Sequence, residues 1–151
     1  MNISSFKILF IIFEKILIAM LDLIENSVTR QFKAIFPCML NANNTLFGGE
    51  ALKWMDEVAF ITATRFAHEH MFTVNTEKIK FLKTIKPDTI IEIVGRIEKV
   101  KLIRIHVKVE IYAEEMYGSN REKVVEGTFV FVALDENQEP KQLDCLRSMN
   151  P

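Results

Sequence analysis

The feature that most constrains the fold is a helical pattern in the middle of the chain, from Gly49 to about His68. Apolar side chains recur there at steps of three and four, as they do along one face of an α-helix. Trp54, Val58 and Ile61 add apolar residues on the neighbouring faces. A helix that is apolar over much of its circumference has to be surrounded by protein. The rest of the chain must therefore supply its cover.

Four consecutive strand patterns follow this helix. They run from Phe72 to Ile85, from Thr89 to Val100, from Ile103 to Ile111 and from Lys123 to Leu134. The third alternates between isoleucine or valine and charged or polar residues, which is typical of a half-buried strand. In the first, a phase change near Thr76 and Glu77 predicts a β-bulge. A further strand is predicted before the helix, from Ser27 to Phe36.

Short links between the four strands predict that successive strands are antiparallel neighbours. A sheet with one apolar face has to cover that face, and the helix is the only sizeable cover in the sequence. We therefore expect an α+β domain in which a curved antiparallel sheet wraps around a long central helix, which is the hotdog architecture. An ordinary α+β sandwich is the alternative that the same pattern allows.

Composition and charge exclude several classes of protein. The 151 residues suffice for one domain with a substantial core. A formal net charge of −1 argues against a general nucleic-acid binder, which needs a basic excess. Cys38 and Cys145 are far apart and have no metal-binding spacing, so neither a metal site nor a disulfide framework is expected. A cytoplasmic location fits this cysteine usage.

The N-terminal segment is strongly apolar from Ile8 to Leu21, but a charged pair interrupts it, and the clean run is too short to span a bilayer. It also lacks the features of a signal peptide. An extra amphipathic helix, a membrane-surface segment and codons upstream of a start assigned too early all remain open. The third is favoured because the globular pattern begins at Met20. We expect a domain at 20–151 and an extension of uncertain role at 1–19.

Two glycines at the start of the central helix and one acidic residue within it suggest chemistry. Asp56 lies seven residues after Gly49, which is close to two turns or about 10 Å, so both lie on the same side of the helix. Beside Gly48 and Gly49, the unpaired N–H groups of the first turn can hold a carbonyl oxygen that gains negative charge. Asp56 can then act on water or on the carbonyl carbon. A tight glycine turn and a surface aspartate are the alternatives.

The stretch "NANNTLFGGEALKWMDEVA", from Asn41 to Ala59, closely resembles the signature of the hotdog-fold acyl-CoA thioesterases. In that signature an Asn, a small loop, Phe-Gly-Gly and Met-Asp-Glu recur at this spacing. The segment from Phe72 to Ile97 resembles the part of the family that follows, and the segment from Gly127 to Pro140 resembles its last strand and turn. The similarity covers about residues 20 to 140.

This resemblance implies hydrolysis of acyl-CoA thioesters to a free acid and CoA, without a cofactor. It implies that Asn41 and Asp56 form a catalytic pair contributed by opposite subunits of a homodimer, and that the dimers assemble as a trimer of dimers. A backbone N–H at Gly48 or Gly49 would hold the thioester oxygen. Whether Asp56 is a general base or a nucleophile stays open. Thr73 matches a family position near the site, and a buried core threonine is its alternative.

The chain departs from the family pattern in two places. Asn44 stands where Gly is frequent, and Asn tolerates a left-handed backbone better than most residues. The turn in which Gly and Ser often contact the CoA nucleotide reads "KLIR" here. Lys101 and Arg104, at the two ends of that turn, are cationic candidates for contacts to the CoA phosphates. A solvated strand end is the alternative.

Two other functions stay open on the same fold. One is a non-catalytic acyl-CoA sensor, and the other is a 3-hydroxyacyl thioester dehydratase. Such lyases use a His with an acid, but His68 and His70 lie at the far end of the predicted helix and His106 lies on the polar side of a strand. None of them is expected near the glycine pair, which disfavours the dehydratase.

Overall fold

The computed structural model describes residues 3–147, which form three α-helices, one short 3-10 helix (Pro37–Met39) and six strands. The elements are α1 (Ile3–Ser27), β1 (Thr29–Ala34), α2 (Gly48–Ala67), β2 (Met71–Phe81), β3 (Thr89–Lys101), β4 (Arg104–Glu115), β5 (Arg121–Leu134), β6 (Pro140–Lys141) and α3 (Asp144–Arg147). The predicted central helix and its flanking strands are therefore confirmed to within a few residues, except that β2 ends earlier and β4 continues further. The short β6 and α3 follow a segment in which the sequence indicated only turns.

The sheet is antiparallel in the order β1-β3-β4-β5-β2, and β6 extends one edge of β5. The expectation that each of the four strands pairs with the next is confirmed for β3, β4 and β5 but wrong for β2. β2 pairs with β5, from Met71 opposite Ala133 to Phe81 opposite Val125. The reason is that β3 has only two edges, of which β4 takes one and β1 takes the other. The free edge of β5 is left for β2.

Helix α2 lies against the concave face of this curled sheet, as the sequence predicted. Met55, Val58 and Ala59 of the helix are fully buried. The apolar side of every long strand contributes to the same core, for which Val107 of β4 and Phe131 of β5 are examples. The fold is thus the expected α+β arrangement, with one helix wrapped by one sheet.

Strand β2 is irregular and lies at the edge of the sheet. Its register with β5 shifts between Thr73 and Asn75 and again between Glu77 and Lys80, which confirms the predicted bulge near Thr76 and Glu77. Most of its side chains are exposed. Because the strand is bent and covered by little else, it places polar side chains at the surface beside α2.

Helix α1 runs without a break through Met20, where a domain boundary was expected. Its C-terminal end is fixed by Arg65 of α2, which donates hydrogen bonds to the carbonyl groups of Asn26 and, at 2.7 Å, of Val28. No helix in the described part of the chain is long and apolar enough to cross a membrane. The structure shows that this segment is helical, which does not decide among the three interpretations, and the division at residue 20 stays a prediction.

The helix and the sheet approach closely at Gly95 of β3. A Cβ atom there would lie 2.4 Å from Thr62 Oγ1 and 2.9 Å from Val58 Cγ1. Thr62 is buried and donates a hydrogen bond of 2.8 Å to the carbonyl of Val58, so its hydroxyl has no free direction in which to move. A side chain at position 95 therefore has to push α2 away from the sheet.

We predict that Gly95→Ala lowers the free energy of unfolding by about 1–3 kcal/mol, because it overpacks the contact between helix and sheet. Gly118→Ala is the matched control, since a Cβ at Gly118 would meet the side chain of Glu115, which is exposed and has room to move away. The control should change stability by less than about 0.5 kcal/mol. Urea unfolding followed by circular dichroism measures both values. Equal stability of the two variants would contradict the close packing at Gly95.

Candidate active site

The loop that precedes α2 is folded around the side chain of Asn41. Asn41 Oδ1 accepts hydrogen bonds from the backbone N–H of Asn43 at 2.9 Å and of Thr45 at 3.3 Å, and from Thr45 Oγ1 at 3.2 Å. Only the amide oxygen can accept from an N–H group, which fixes the orientation of the amide. Within residues 3–147 its Nδ2 group has no acceptor of its own. Asn41 therefore organises the loop with its oxygen and keeps two N–H donors for a ligand.

Asn44 occupies the left-handed region of the backbone, with φ of 57°. Its N–H donates to the carbonyl of Asn41 at 3.0 Å, and the N–H of Asn41 donates to the carbonyl of Thr45 at 2.8 Å. These bonds close the loop into a tight turn. The expectation that Asn at this position keeps the shape that Gly gives in the family is consistent with this geometry.

Gly48 and Gly49 form the first turn of α2. Neither has a positive φ, so a left-handed glycine turn is not what requires them. No side chain caps this end of the helix, and in the described part of the chain the N–H groups of both glycines have no acceptor. A Cβ would lie 3.5 Å from the ring of Phe81 at Gly48, and 3.0 Å from the ring of Phe47 at Gly49. The glycines therefore keep backbone donors uncovered between two aromatic side chains.

A pocket of about 500 Å³ brings Asn41 and Gly48 together. Further walls come from Phe81, the last residue of β2, and from the link between β2 and β3, including Ile85. No local sequence pattern marks these residues as part of a site, because a tertiary hydrogen bond of 2.8 Å from Leu46 N–H to the carbonyl of Ile85 brings this segment to the loop. No histidine is among the residues that line this pocket.

Asp56 lies outside that pocket and is paired with Thr73. The Thr73 hydroxyl donates a hydrogen bond of 3.0 Å to Asp56 Oδ1, and both residues are exposed in the single chain. The alternative that Thr73 is a buried core threonine is wrong, because Thr73 lies on an edge strand that no further layer covers. The neighbouring Glu57 turns to the other side of α2, where it accepts a hydrogen bond from Gln31 at 3.2 Å. Of these two adjacent acidic residues, Asp56 is the one that lies on the side of α2 facing β2.

One chain therefore holds the candidate residues in two separate groups. Asn41 and Gly48 line the pocket at the start of α2, whereas Asp56 and Thr73 form an exposed pair further along the helix. The distance from Gly49 to Asp56 along the helix axis is about 10 Å. That is too far for a carbonyl group held at the helix start to meet the carboxylate of its own chain.

Lys101 and Arg104 face each other across the turn between β3 and β4, and both are exposed. They do not line the pocket of Asn41. They lie at the same end of the sheet as the Asp56–Thr73 pair, because Ile105 and Thr73 are opposite the same residue of β5, Phe131. The exposure of Lys101 and Arg104 fits the alternative, a solvated strand end, equally well.

Lys101 lines a separate cavity of about 470 Å³ on the outer face of the sheet, together with two other lysines, Glu77, Glu98 and His106. Burial lowers the pKa of His106 below its usual value. Its Nε2 atom is buried without a hydrogen-bond partner. Within residues 3–147, no group of three or more histidine, cysteine or acidic side chains has the arrangement of a metal site.

Residues 43–119 match the family model of the thioesterase superfamily, and the chain belongs to this family. An uncharacterized acyl-CoA thioester hydrolase of Haemophilus influenzae is 33% identical over 104 residues, which cover 67% of this chain and 68% of that protein. The corresponding YkhA of Bacillus subtilis is 30% identical over 106 residues, or 70% of this chain and 62% of that protein. The acyl-CoA thioester hydrolase YciA of Salmonella typhimurium is 28% identical over 110 residues, or 71% and 83%.

The solved structures that resemble this chain are also acyl-CoA thioesterases and hydrolases. An apo-hexameric acyl-CoA thioesterase superposes with a TM-score of 0.76 at 26% identity, covering 80% of this chain and 77% of that one. An acyl-CoA hydrolase of Staphylococcus aureus in complex with butyryl-CoA and CoA gives 0.74 at 28%, covering 80% and 73%. Three further structures of that hydrolase carry alanine in place of an asparagine, an aspartate and a threonine, which lie fifteen and then seventeen residues apart.

We predict that the two functions of the Asn41 amide can be separated by substitution. Asn41→Ala leaves the N–H groups of Asn43 and Thr45 without an acceptor and should lower the free energy of unfolding by about 1–2 kcal/mol. Asn41→Asp keeps an oxygen acceptor and should retain wild-type stability, although it loses the N–H donors. Asn43→Ala is the control, because that side chain is exposed. Thermal unfolding checks all three, and an alanine variant at position 41 as stable as the aspartate variant would refute the folding role of Oδ1.

Proposed function

We propose that this protein hydrolyses acyl-CoA thioesters to a free carboxylic acid and CoA. The observation that carries this proposal is the spacing of Asn41, Asp56 and Thr73, which is fifteen and then seventeen residues. It equals the spacing of the asparagine, aspartate and threonine replaced in the S. aureus acyl-CoA hydrolase. The hydrogen bonds of these three residues are compatible with a role in this reaction. Asn41 keeps free amide donors, and Thr73 binds the Asp56 carboxylate.

The pocket at the start of α2 holds the thioester carbonyl. The N–H of Gly48 or Gly49 donates to the carbonyl oxygen, where negative charge develops as the carbon becomes tetrahedral. The positive end of the helix dipole stabilises the same charge. Asn41 Nδ2 orients the carbonyl group or the attacking water. Phe81 and Ile85 supply apolar walls against the acyl part.

Asp56 activates the attacking group. As a general base it takes a proton from water, the water oxygen adds to the carbonyl carbon, the C–S bond breaks, and the thiolate sulfur of CoA takes up the proton. As a nucleophile, Asp56 adds to the carbon itself, CoA thiolate leaves, and water then cleaves the resulting anhydride. In both routes the Thr73 hydroxyl holds one carboxylate oxygen and leaves the other for the reaction.

The active unit in this proposal is a homodimer in which Asp56 of one copy meets Asn41 of the other. The separation of the two groups within one chain supports this arrangement. The exposure of Asp56 and Thr73 supports it too, because a partner has to cover them before a water-excluding site exists. The hexameric thioesterases among the structural neighbours support an assembly of three such dimers.

Lys101 and Arg104 contact the phosphates of CoA in the same proposal. Their charge fits these anions, and their turn lies at the end of the sheet that carries the Asp56–Thr73 pair. The bound CoA then extends from the composite site toward the turn between β3 and β4. A cytoplasmic location stays a prediction from the sequence.

We expect Asp56→Asn to reduce the release of thiol from acyl-CoA about 100-fold or more, because it removes the base or nucleophile. Glu57→Gln is the matched control, since Glu57 is the neighbouring acidic residue but contacts Gln31 on the other side of the helix. It should keep a rate close to that of the wild type. A chromogenic thiol reagent and a panel of acyl chain lengths measure both variants. If the wild type binds acyl-CoA but releases no thiol, the result contradicts hydrolysis and supports a non-catalytic acyl-CoA sensor instead.

A further inference from the structure

The pocket of Asn41 has an apolar floor and a polar rim. The floor consists of buried side chains that belong to the hydrophobic core, and these are Leu46, Ala51, Ile85 and Val125. The rim consists of polar lining residues that each keep part of their surface exposed, and these are Asn41, Asn43, Thr45, Lys83 and Thr84. A group that passes the rim therefore meets an apolar surface at the floor.

Hydrogen bonds on two sides hold this floor in place. Leu46 N–H donates to the carbonyl of Ile85 at 2.8 Å, which ties the loop before α2 to the link after β2. The N–H groups of Leu82 and Lys83 donate to the carbonyl of Val124 at 2.8 Å and 3.1 Å, which ties the same link to β5. Because the floor is part of a closely packed core, it does not recede to admit a longer group. The side chains of the floor therefore set its depth.

Ala51 is the residue that α2 contributes to the floor. It follows Gly48 by three residues, which places it about 4.5 Å further along the helix axis. Its side chain lines the pocket, and the residue is only 1% exposed. The Cα–Cβ bond of a helical residue tilts toward the N-terminus of the helix, so a larger side chain at position 51 extends back toward Gly48. The small methyl group of Ala51 leaves that space open.

The acyl chain is the part of the substrate that fits this pocket. In the proposed site CoA extends toward Lys101 and Arg104, and neither residue lines the pocket. A carbonyl carbon held near Gly48 carries the CoA sulfur on one side and the acyl chain on the other, so the chain points away from CoA. An apolar floor suits an aliphatic chain, whereas the burial of a terminal carboxylate against it costs free energy.

We propose that Ala51 limits the length of the acyl chain that this protein hydrolyses, and that the acyl chain is uncharged. The proposal rests on the proposed hydrolysis of acyl-CoA and gives Ala51 a role in specificity. In an apolar pocket a single methylene changes kcat/KM by about 10- to 200-fold. The two additional methyl groups of a valine at position 51 are therefore enough to exclude the last carbons of the longest chain that the wild type accepts.

Ala51→Val tests this limit. Ala63→Val is the matched control, because Ala63 is a fully buried alanine of the same helix that does not line the pocket. For each protein, kcat/KM is measured for straight-chain acyl-CoAs and divided by the value for acetyl-CoA. For the longest chain that the wild type hydrolyses well, we expect Ala51→Val to lower this ratio by about tenfold or more and the control to keep it.

Ala51→Gly provides a second variant that changes the pocket in the opposite direction. It removes the methyl group from the floor, so we expect the ratio to rise for chains longer than those that the wild type prefers. This variant also tests the proposal if the valine variant does not fold. Circular dichroism of each variant checks the fold before its kinetics are compared.

Succinyl-CoA and butyryl-CoA test the apolar character of the floor, because both acyl groups have four carbons and differ in a terminal carboxylate. We expect kcat/KM of the wild type to be about 100-fold lower for succinyl-CoA. Equal values for the two substrates would overturn the proposal, and so would one chain-length profile shared by the wild type and both folded Ala51 variants. A wild type that releases no thiol from any acyl-CoA contradicts the proposed hydrolysis itself, and this inference with it.

Discussion

The contact between α2 and the concave face of the sheet is the constraint on which the rest of this structure depends. Gly95 allows Val58 and Thr62 to rest directly on β3, and the wrapped helix buries its apolar circumference there. Once α2 is fixed in this way, its start and its middle have fixed positions too. The loop of Asn41 and the start of α2 at Gly48 meet at one end, and Asp56 emerges two turns further on beside β2.

This geometry explains why a single chain carries every residue of the proposed site and still does not assemble it. A straight helix holds its first turn and its third turn apart, and no change of rotamer closes about 10 Å. Asp56 of α2 and Thr73 of the edge strand β2 are both exposed, so a second copy can reach them. In the proposed site, the start of α2 from one copy stabilises the developing charge, and Asp56 from a second copy supplies the acidic group.

Much of this was predictable from local pattern, and the rest depended on contacts between distant segments. The three-and-four periodicity of α2 indicates a buried helix, and the strict alternation of β4 indicates a strand with one buried face. The helix, the strands and the wrapped architecture were therefore predicted correctly. The pairing of β2 with β5 was not, because link length does not decide which sheet edge is free. The exposure of Thr73 follows from that same pairing, so the sequence could not give it. The resemblance to a family made Asn41 a candidate site residue, but only the hydrogen bonds of its oxygen show that it folds its own loop.

Co-expression of Asn41→Ala with Asp56→Ala tests the shared site most directly. Each variant alone should be inactive in thiol release from acyl-CoA. In a mixed dimer one composite site carries both defects and the other carries neither, and random pairing makes about half of the dimers mixed. Activity should therefore return to about one quarter of the wild-type value. If the mixture stays as inactive as the separate variants, Asn41 and Asp56 act within one chain, and the shared site is wrong.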